Sequence, residues 1–200
     1  MNIEPITLVG NSVRLEPMRV DHIPALSDVG LEPSIWQWTA NIVKTRADIE
    51  NYVVSALSDR DRGAALPFVT VLAESGTIVG STRFSNIDAA HRKAEIGWTW
   101  IGPKWQRTAV NTEAKLLMLT HAFDVWKCIR VEFKTDANNV TSRNAIRRLG
   151  ATEEGALRQH MITDSGRFRD SVYFSIIDSE WETVRKELVW KLENGKKVQS

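Results

Sequence analysis

Apolar and polar positions recur along the chain with two different periods, and these periods mark its elements. A period of two, or a short apolar run, predicts strands over residues 13–17, 66–72, 78–84, 93–101, 130–135, 154–162 and 172–177. A period of three to four predicts helices over residues 22–29, 47–58, 112–125 and 140–149, and a last one from residue 179 onward. Strands followed by a strand–helix–strand–helix–strand order indicate an α+β domain built on a mixed sheet.

Polar residues at the ends of these segments predict where the helices start and stop. Asp21 and Asn139 are expected to act as N-caps, and Gly150 is expected to stop the helix that Asn139 opens. Ser179 with Glu182 three residues later predicts a capping box at the start of the last helix.

The strand over residues 93–101 carries polar and apolar residues in alternation. A strict period of two places Glu95, Gly97 and Thr99 on one face of the strand. The other face then carries Ala94, Ile96, Trp98 and Trp100. With the two preceding strands, residues 66–72 and 78–84, this strand is expected to form an antiparallel meander.

The charge balance excludes several classes of partner. The 200 residues include 26 Lys and Arg against 25 Asp and Glu, a net charge of +1. No basic surface is therefore expected to dominate, and neither nucleic acid nor an anionic membrane is a predicted partner. The N-terminus has no basic flank before an apolar core, and no segment approaches the roughly 20 apolar residues of a membrane helix. The sequence thus predicts a cytoplasmic protein.

Cysteine and histidine content limits the chemistry further. The one cysteine, Cys128, can form neither an intramolecular disulfide nor a multi-cysteine metal site, and we expect it to be a small core residue. The four His residues lack ligand-spaced partners, and His121 falls on the apolar stripe of its helix. No metal is therefore predicted.

The segment between the strand over residues 93–101 and the following helix has the composition of an anion site. Residues 106–112 read Gln-Arg-Thr-Ala-Val-Asn-Thr and end at a predicted helix start, where free N–H groups and the positive end of the helix dipole favour an anion. Arg107 adds a positive charge. Many strand–helix junctions look similar, so a plain turn is an equal alternative from these residues alone.

Four segments in this order resemble the GNAT acetyltransferases, in particular the RimJ/RimL-type branch that acetylates ribosomal-protein N-termini. The segments are residues 13–17 (VRLEP), 106–114 (QRTAVNTEA), 139–150 (Asn139, Ser142 and Leu149-Gly150) and 169–181 (RDSVYFS, then Glu180-Trp181). The resemblance covers nearly the whole chain. It implies one domain over residues 1–194 with a mixed, strongly twisted sheet flanked by helices, and a polar tail over residues 195–200.

The resemblance implies acetyl-CoA as cosubstrate and an amine as acceptor. It places the cofactor against the strand end, the loop, the first helical turn and one further asparagine: Trp100, Ile101, Gln106, Arg107, Thr108, Ala109, Val110, Asn111, Thr112 and Asn139. Ala109 and Asn111 depart from the family pattern, which has Gly at the first position and Gly or Ala at the second. Ala109 adds a methyl group beside the phosphates and adopts a positive φ less freely than Gly.

Acyl transfer to an amine requires a base for the amine and a proton for the leaving thiolate. Glu95 is the candidate base, because it lies on the strand that leads to the loop and shares a face with the small Gly97; a salt-bridged strand carboxylate is the alternative. Many family members carry a Tyr seven residues after the Asn, but that position here is Ile146. Ser142 is therefore the candidate acid, with a helix-capping hydroxyl as the alternative.

These motifs leave the acceptor, two alternative functions and the oligomeric state open. Trp36 and Trp38 follow the first helix, a region that walls the acceptor pocket in this family, and are candidate substrate contacts, although core packing is the favoured interpretation. Acceptors include a protein N-terminus and a small-molecule amine. A resistance-type acetyltransferase for an amine-bearing toxin or antibiotic, and a catalytically weak acyl-CoA-binding sensor, are the alternative functions. The eight Trp leave a homodimer possible.

Overall fold

The structure is a computed structural model that describes residues 1–195, and it folds around one eight-stranded sheet. The strands are β1 (Leu8–Val9), β2 (Val13–Pro17), β3 (Leu66–Leu72), β4 (Ile78–Asp88), β5 (Lys93–Ile101), β6 (Arg130–Asp136), β7 (Thr152–Ile162) and β8 (Phe168–Ile177). The helices are α1 (Ile23–Gly30), α2 (Pro33–Trp36), α3 (Arg46–Asp61), α4 (Ala109–Thr120), α5 (Val140–Arg148) and α6 (Asp178–Gly195). Of the tail predicted over residues 195–200, Gly195 ends α6 and the rest lies outside the described residues.

The sheet order is β1-β2-β3-β4-β5-β6-β8-β7, and every neighbouring pair is antiparallel except β5 and β6. This confirms the predicted α+β class, the mixed sheet and the β3-β4-β5 meander. The parallel pair is short: it covers only Lys93 to Glu95 of β5 against Arg130 to Glu132 of β6. Beyond Glu95 and Glu132 the two strands no longer pair with each other, so the sheet opens there.

Two apolar clusters hold the helices to opposite faces of the sheet. The larger cluster joins α4, α5 and α6 to residues from most of the strands, with Phe84, Met118 and Phe174 among its fully buried members. The smaller cluster joins α1, α2 and α3 to Val69, Val71 and the ring of Trp100. Within residues 1–195 this smaller cluster includes no residue of β6, β7 or β8, and no helix has the length and apolar composition to cross a membrane.

Helix ends partly follow the sequence prediction. Asn139 is the N-cap of α5, with Oδ1 accepting a hydrogen bond from the Ser142 N–H at 2.9 Å, and Gly150 after the helix has φ of +96°. The Asp21 prediction is wrong, because its carboxylate pairs with Arg19 while residues 20–22 form a 3₁₀ turn ahead of α1.

The capping box predicted for the last helix is also absent. Glu182 pairs with Arg185 and Lys186 one turn further along α6. The helix instead begins at Asp178, and Glu180 reaches back to accept a hydrogen bond from the Ile177 N–H at 3.0 Å. The box fails because the helix begins one residue before Ser179 and so leaves it without an N-cap conformation.

Strand β5 has the predicted bounds but not the predicted faces. Its register against β4 slips between Ser81 and Arg83, which is a β-bulge, and Trp98 at the bulge has φ of +51°. Ile96 and Trp100 therefore enter opposite clusters instead of sharing a face. Thr99 contacts α4 through Lys115, away from Glu95. The prediction failed because a strict period of two assumes a regular strand.

A buried carboxylate ties α4 to the turn between β1 and β2. Glu113 is 6% exposed and accepts hydrogen bonds from the N–H groups of Asn11 at 3.0 Å, Ser12 at 2.6 Å and Val13 at 2.7 Å. These three donors have no strand partner for their N–H groups at the turn, and the single side chain satisfies all of them. Glu113 thereby fixes the position of the first turns of α4 over the sheet.

Candidate active site

The open edge between β5 and β6 brings two helix starts together. Because β5 and β6 are parallel, their carboxyl ends lie at the same edge of the sheet, and α4 follows one strand while α5 follows the other. The predicted segments at residues 106–112 and 139–142 are thus neighbours at one edge, on either side of the opening. Ligands of α/β sheets bind at such places, where adjacent strands lead to diverging connections.

The first of these helix starts presents main-chain donors. Helix α4 begins at Ala109, three residues earlier than the pattern indicated, and Thr108 is its N-cap through a 3.3 Å bond from the Val110 N–H. The loop before it is held by Gln106, whose Nε2 donates to the Ile101 carbonyl at 2.9 Å. Val110, Asn111 and Thr112 therefore form the first turn of a helix, with the dipole oriented to favour an anion at its end.

Backbone strain at this site falls on Arg107 and not on Ala109. Arg107 is exposed and has φ of +61°, a conformation that is uncommon for a residue with a side chain. Ala109 is the first helical residue, with no positive φ, so alanine suits it. The departure from glycine therefore carries no conformational cost, and the exposed guanidinium of Arg107 is held beside the helix start.

Trp100 and Ile101 can contribute to this edge only through their main chains. Both side chains are buried, the Trp100 ring in the smaller cluster and Ile101 in the larger one. Their strand pairs with β4 on one side and has no register partner on the β6 side beyond Glu95. That free edge of β5 offers peptide groups that an extended, amide-containing ligand can pair with.

The second helix start places a hydroxyl near the opening. Ser142 is in the first turn of α5 and is half-buried, and its N–H is the group that Asn139 caps. Asn139 is therefore the residue that caps the helix. Ser142 takes part in the cap only through its main-chain N–H, so its hydroxyl is left for other partners. The roles of both residues toward a cofactor stay predictions.

Glu95 lies where β5 and β6 separate. It is 4% exposed, and its Oε2 accepts a 3.0 Å hydrogen bond from Nδ2 of Asn86 and lies 3.5 Å from Nζ of Lys134. A Cβ at Gly97 would come within 3.0 Å of Oε1, so glycine leaves space around the second carboxylate oxygen. The salt-bridge alternative is therefore present in the structure, and it leaves Oε1 without a partner from Asn86 or Lys134.

The bulge in β5 is supported from α4 by the buried Lys115, which no sequence motif singled out. Nζ of Lys115 donates to Thr82 at 3.0 Å and to Thr99 at 2.6 Å, and the Thr99 hydroxyl also donates to the Gly97 carbonyl at 3.3 Å. Burial lowers the pKa of Lys115 to about 7. On the opposite side of the bulge, Trp98 is 46% exposed and its ring covers the buried guanidinium of Arg83.

Next to Glu95 the sheet has a polar face that no helix of the smaller cluster covers. We define this polar face by alternate residues of β6, β7 and β8: Arg130, Glu132, Lys134, Asp136, Glu154, His160, Arg169, Ser171, Tyr173 and Ser175. Their contacts with one another place them on one side of the sheet. The alternation in residues 130–136 is visible in the sequence, but its apolar positions alone indicate a strand, and the polar positions between them give no separate signal.

Trp36 packs inside the smaller cluster, which is the interpretation that the sequence favoured over the candidate role of a substrate contact. Trp36 is 8% exposed, its indole N–H donates to the Gly30 carbonyl at 2.6 Å, and its ring contacts Tyr52 and Trp100 inside the smaller cluster. It supports the loop after α1 and has no surface left for a substrate. A tryptophan in a polar loop gives no sequence signal of which side it faces.

Trp38, in contrast, is half-buried at the end of the polar face. The Arg167 guanidinium lies 5.6 Å from its ring centroid. Two hydrogen bonds of 2.9 Å, from the Asp164 N–H to the Ala40 carbonyl and from the Ile42 N–H to the Asp164 carboxylate, tie the same loop to the β7–β8 turn. The loop thus bridges from the helices over β5 to the far edge of the sheet, and Trp38 stays a candidate substrate contact.

Cys128 and His121 are buried core residues. Cys128 is buried, and burial raises the pKa of its thiol to about 11, so the nucleophilic thiolate is suppressed. His121 packs between Phe84 and Trp126 in the larger cluster, as predicted. Among residues 1–195, no three His, Cys, Asp or Glu side chains are grouped to hold a metal ion.

Known proteins are similar to this chain in sequence and in fold. Residues 12–152 match the family model described as acetyltransferase (GNAT) domain. The Bacillus subtilis protein named "Putative ribosomal N-acetyltransferase YdaF" is 33% identical over 111 residues, which are 56% of this chain and 60% of that protein. The chain thus matches less than two thirds of the length of its curated relatives.

Solved structures match over almost the whole chain. A GCN5-related N-acetyltransferase from Brucella melitensis has a TM-score of 0.85 at 32% identity, covering 94% of this chain and 86% of that one. Mycobacterium smegmatis RimJ, solved in complex with CoA-disulfide, has a TM-score of 0.77 at 26% identity, with coverage of 94% and 95%. The family model matches more than half of this chain, and solved acetyltransferases share its fold over almost its whole length. This chain therefore belongs to the GNAT acetyltransferase family.

Proposed function

We propose that this protein transfers an acetyl group from acetyl-CoA to a primary amine, and that the amine attacks directly while both substrates are bound. The acceptor class includes a protein N-terminus and a small-molecule amine. The observation that supports this most is the meeting, at one sheet edge, of two helix starts, an unpaired β5 edge and the buried carboxylate of Glu95. Direct attack is favoured over an acyl-enzyme because Cys128 is buried with a raised pKa.

The residues at this edge fit the chemical groups of acetyl-CoA. The first turn of α4 and the exposed Arg107 suit a pyrophosphate, because main-chain N–H groups and a guanidinium both bind phosphate oxygens. The free edge of β5 suits the two amides of the pantetheine arm, which can add to it as a short strand would. Asn139, at the start of α5, is on the other side of the same opening.

Proton transfers then fall to Glu95 and Ser142. When bound, acetyl-CoA supplies the thioester carbonyl that is attacked and the thiolate that leaves. Oε1 of Glu95 accepts a proton from the amine, directly or through water, and so keeps the attacking nitrogen neutral. A main-chain N–H of the β5 bulge donates to the carbonyl oxygen as its charge develops. The Ser142 hydroxyl donates to the sulfur.

Binding of acetyl-CoA is expected to raise the melting temperature of the protein. A ligand at a hundredfold excess over Kd stabilises the folded state by about 2.7 kcal/mol, which corresponds to roughly 5–10 °C for a chain of this size. The measurement is a thermal melt with acetyl-CoA, with NAD and ATP as matched controls, followed by a CoA-release assay across amine classes. A melt unchanged by millimolar acetyl-CoA contradicts the proposal.

Substitution of Ser142 by Ala is expected to lower kcat on the order of 10²-fold, the low end for a positioned proton donor, with little change in KM for acetyl-CoA. Folding is preserved, because the Asn139 cap bonds the main chain of Ser142. Thr141→Ala, which removes the neighbouring exposed hydroxyl, is the matched control, and Ser142→Cys retains a donor. A wild-type kcat in Ser142→Ala shows that another group protonates the thiolate.

A further inference from the structure

The polar face contains two cations, Arg169 and Lys134, that lie near carboxylates but donate no hydrogen bond to them. Arg169 is 7% exposed, yet its guanidinium donates no hydrogen bond to another of the described residues, and its Nε is buried without a partner. The nearest carboxylate oxygen, on Asp136, is 3.8 Å away. Burial lowers the pKa of Arg169 in spite of the nearby Asp136, so its charge is only partly compensated.

Asp136 is engaged elsewhere. Its side chain is fully buried, one carboxylate oxygen accepts from Arg167 at 2.5 Å, and the other accepts from the Asn138 N–H at 2.9 Å. Lys134 lies two residues before Asp136 on the same face of β6. Its Nζ is 3.5 Å from Oε2 of Glu95 and donates no hydrogen bond to it. Arg169 and Lys134 therefore lie beside the carboxylates of Glu95 and Asp136. The N–H groups of both cations donate no hydrogen bond to these carboxylates.

At this end of the polar face, the cations outnumber the carboxylates by one. Lys134, Arg167 and Arg169 face the carboxylates of Glu95 and Asp136. His160 adds no charge at neutral pH, because burial and the nearby Lys134 and Arg169 lower its pKa. At the other end of the face, the carboxylates of Glu132 and Glu154 face two cations, Arg130 and Lys93, so those charges balance.

We propose that Arg169 and Lys134 bind a carboxylate of the acceptor, next to the amine that Glu95 serves. One excess positive charge matches a carboxylate, which carries a single negative charge, better than a phosphate dianion. A guanidinium also binds a carboxylate through two parallel hydrogen bonds. Since Lys134 lies 3.5 Å from Glu95, the carboxylate and the amine of the acceptor are within one residue of each other. This inference rests on the proposed acetyl transfer.

Two kinds of acceptor contain such a pair of groups. A free amino acid offers its α-carboxylate, and a peptide offers the side chain of an N-terminal Asp or Glu. CoA release is measured with two matched pairs: glutamine against glutamine amide, and the peptide amides Glu-Ala-Ala and Gln-Ala-Ala. We expect the carboxylate member of one pair to have a kcat/KM about 10- to 100-fold higher, the range for a hydrogen bond to a charged group. The pair that discriminates identifies the source.

Arg169→Met is expected to remove this preference by lowering kcat/KM for the carboxylate acceptor 10- to 100-fold while changing that for its amide partner less than about threefold. Lys134→Met tests the same subsite from β6 and does not leave Asp136 short of a partner. Arg158→Met, which removes an exposed cation from the neighbouring β7, is the matched control. Acetyl-CoA affinity and the melting temperature verify that each variant is folded.

The outcomes separate this inference from the proposed function. Turnover of amines without preference for the carboxylate member of either pair overturns the inference and leaves acetyl transfer intact. A preference that survives in both Arg169→Met and Lys134→Met also overturns it, because the carboxylate then binds elsewhere. If no amine releases CoA, the proposed function fails and the inference fails with it.

Discussion

Glu95→Gln is expected to lower kcat/KM for the amine acceptor by about 10² to 10⁴ at pH 7, the range for loss of a positioned general base. An alkyl amine has a pKa near 10.4 and a peptide N-terminus about 7.7–8.0, so most of either acceptor is protonated at this pH and the site must remove its proton. Glutamine keeps the shape of the side chain and an oxygen that accepts from Asn86, so the change isolates the proton acceptor from the fold.

The pH dependence tests the cause of this loss. Between pH 9 and 10 solvent supplies more neutral amine, so the deficit of Glu95→Gln should shrink as the pH rises. Glu132→Gln is the matched control, because Glu132 is the direct register partner of Glu95 on β6 but pairs with Arg130 and Lys93. Acetyl-CoA affinity should be unchanged in both variants. A Glu95→Gln enzyme with the wild-type rate across this range makes Glu95 a structural carboxylate.

The bounds of the elements were largely readable in the sequence, because they depend on local periodicity and on turn residues. Strands β2, β3 and β5 have the predicted ends, and Asn139 caps α5 as expected. The pattern places the start of α4 three residues too late. In the sequence Thr108 resembles any other polar residue of a loop, whereas in the structure its hydroxyl caps the helix. Local signals thus located the two helix starts of the site to within one turn.

The shape of the site was not readable, because it depends on pairing between distant strands. The bulge at Trp98 arises from a register slip against β4, and it moves Thr99 away from Glu95. The polar face arises because α1, α2 and α3 cover only one half of the sheet, a fact of topology and not of any single segment. The sequence could identify Glu95 as a candidate, but the partners Lys134 and Arg169 come from strands that only the fold brings beside it.

Glu113→Ala is expected to destabilise the protein by about 3–5 kcal/mol, toward the upper end for a single substitution, because three hydrogen bonds to a buried carboxylate are lost at once. The change leaves the N–H groups of Asn11, Ser12 and Val13 without their acceptor, and the Val13 group is buried. Glu113→Gln should cost less, because one amide oxygen can still accept from the two donors that Oε2 serves.

Urea denaturation of these variants measures the effect, and its m-value shows whether unfolding stays two-state. Glu182→Ala is the matched control, since it removes an exposed glutamate whose ion pairs with Arg185 and Lys186 lie on the surface of α6, where such pairs contribute little. If Glu113→Ala is as stable as Glu182→Ala, water satisfies the three donors and the carboxylate is dispensable. The expected loss instead makes Glu113 the residue that holds the start of α4, and with it the proposed pyrophosphate site, in place over the sheet.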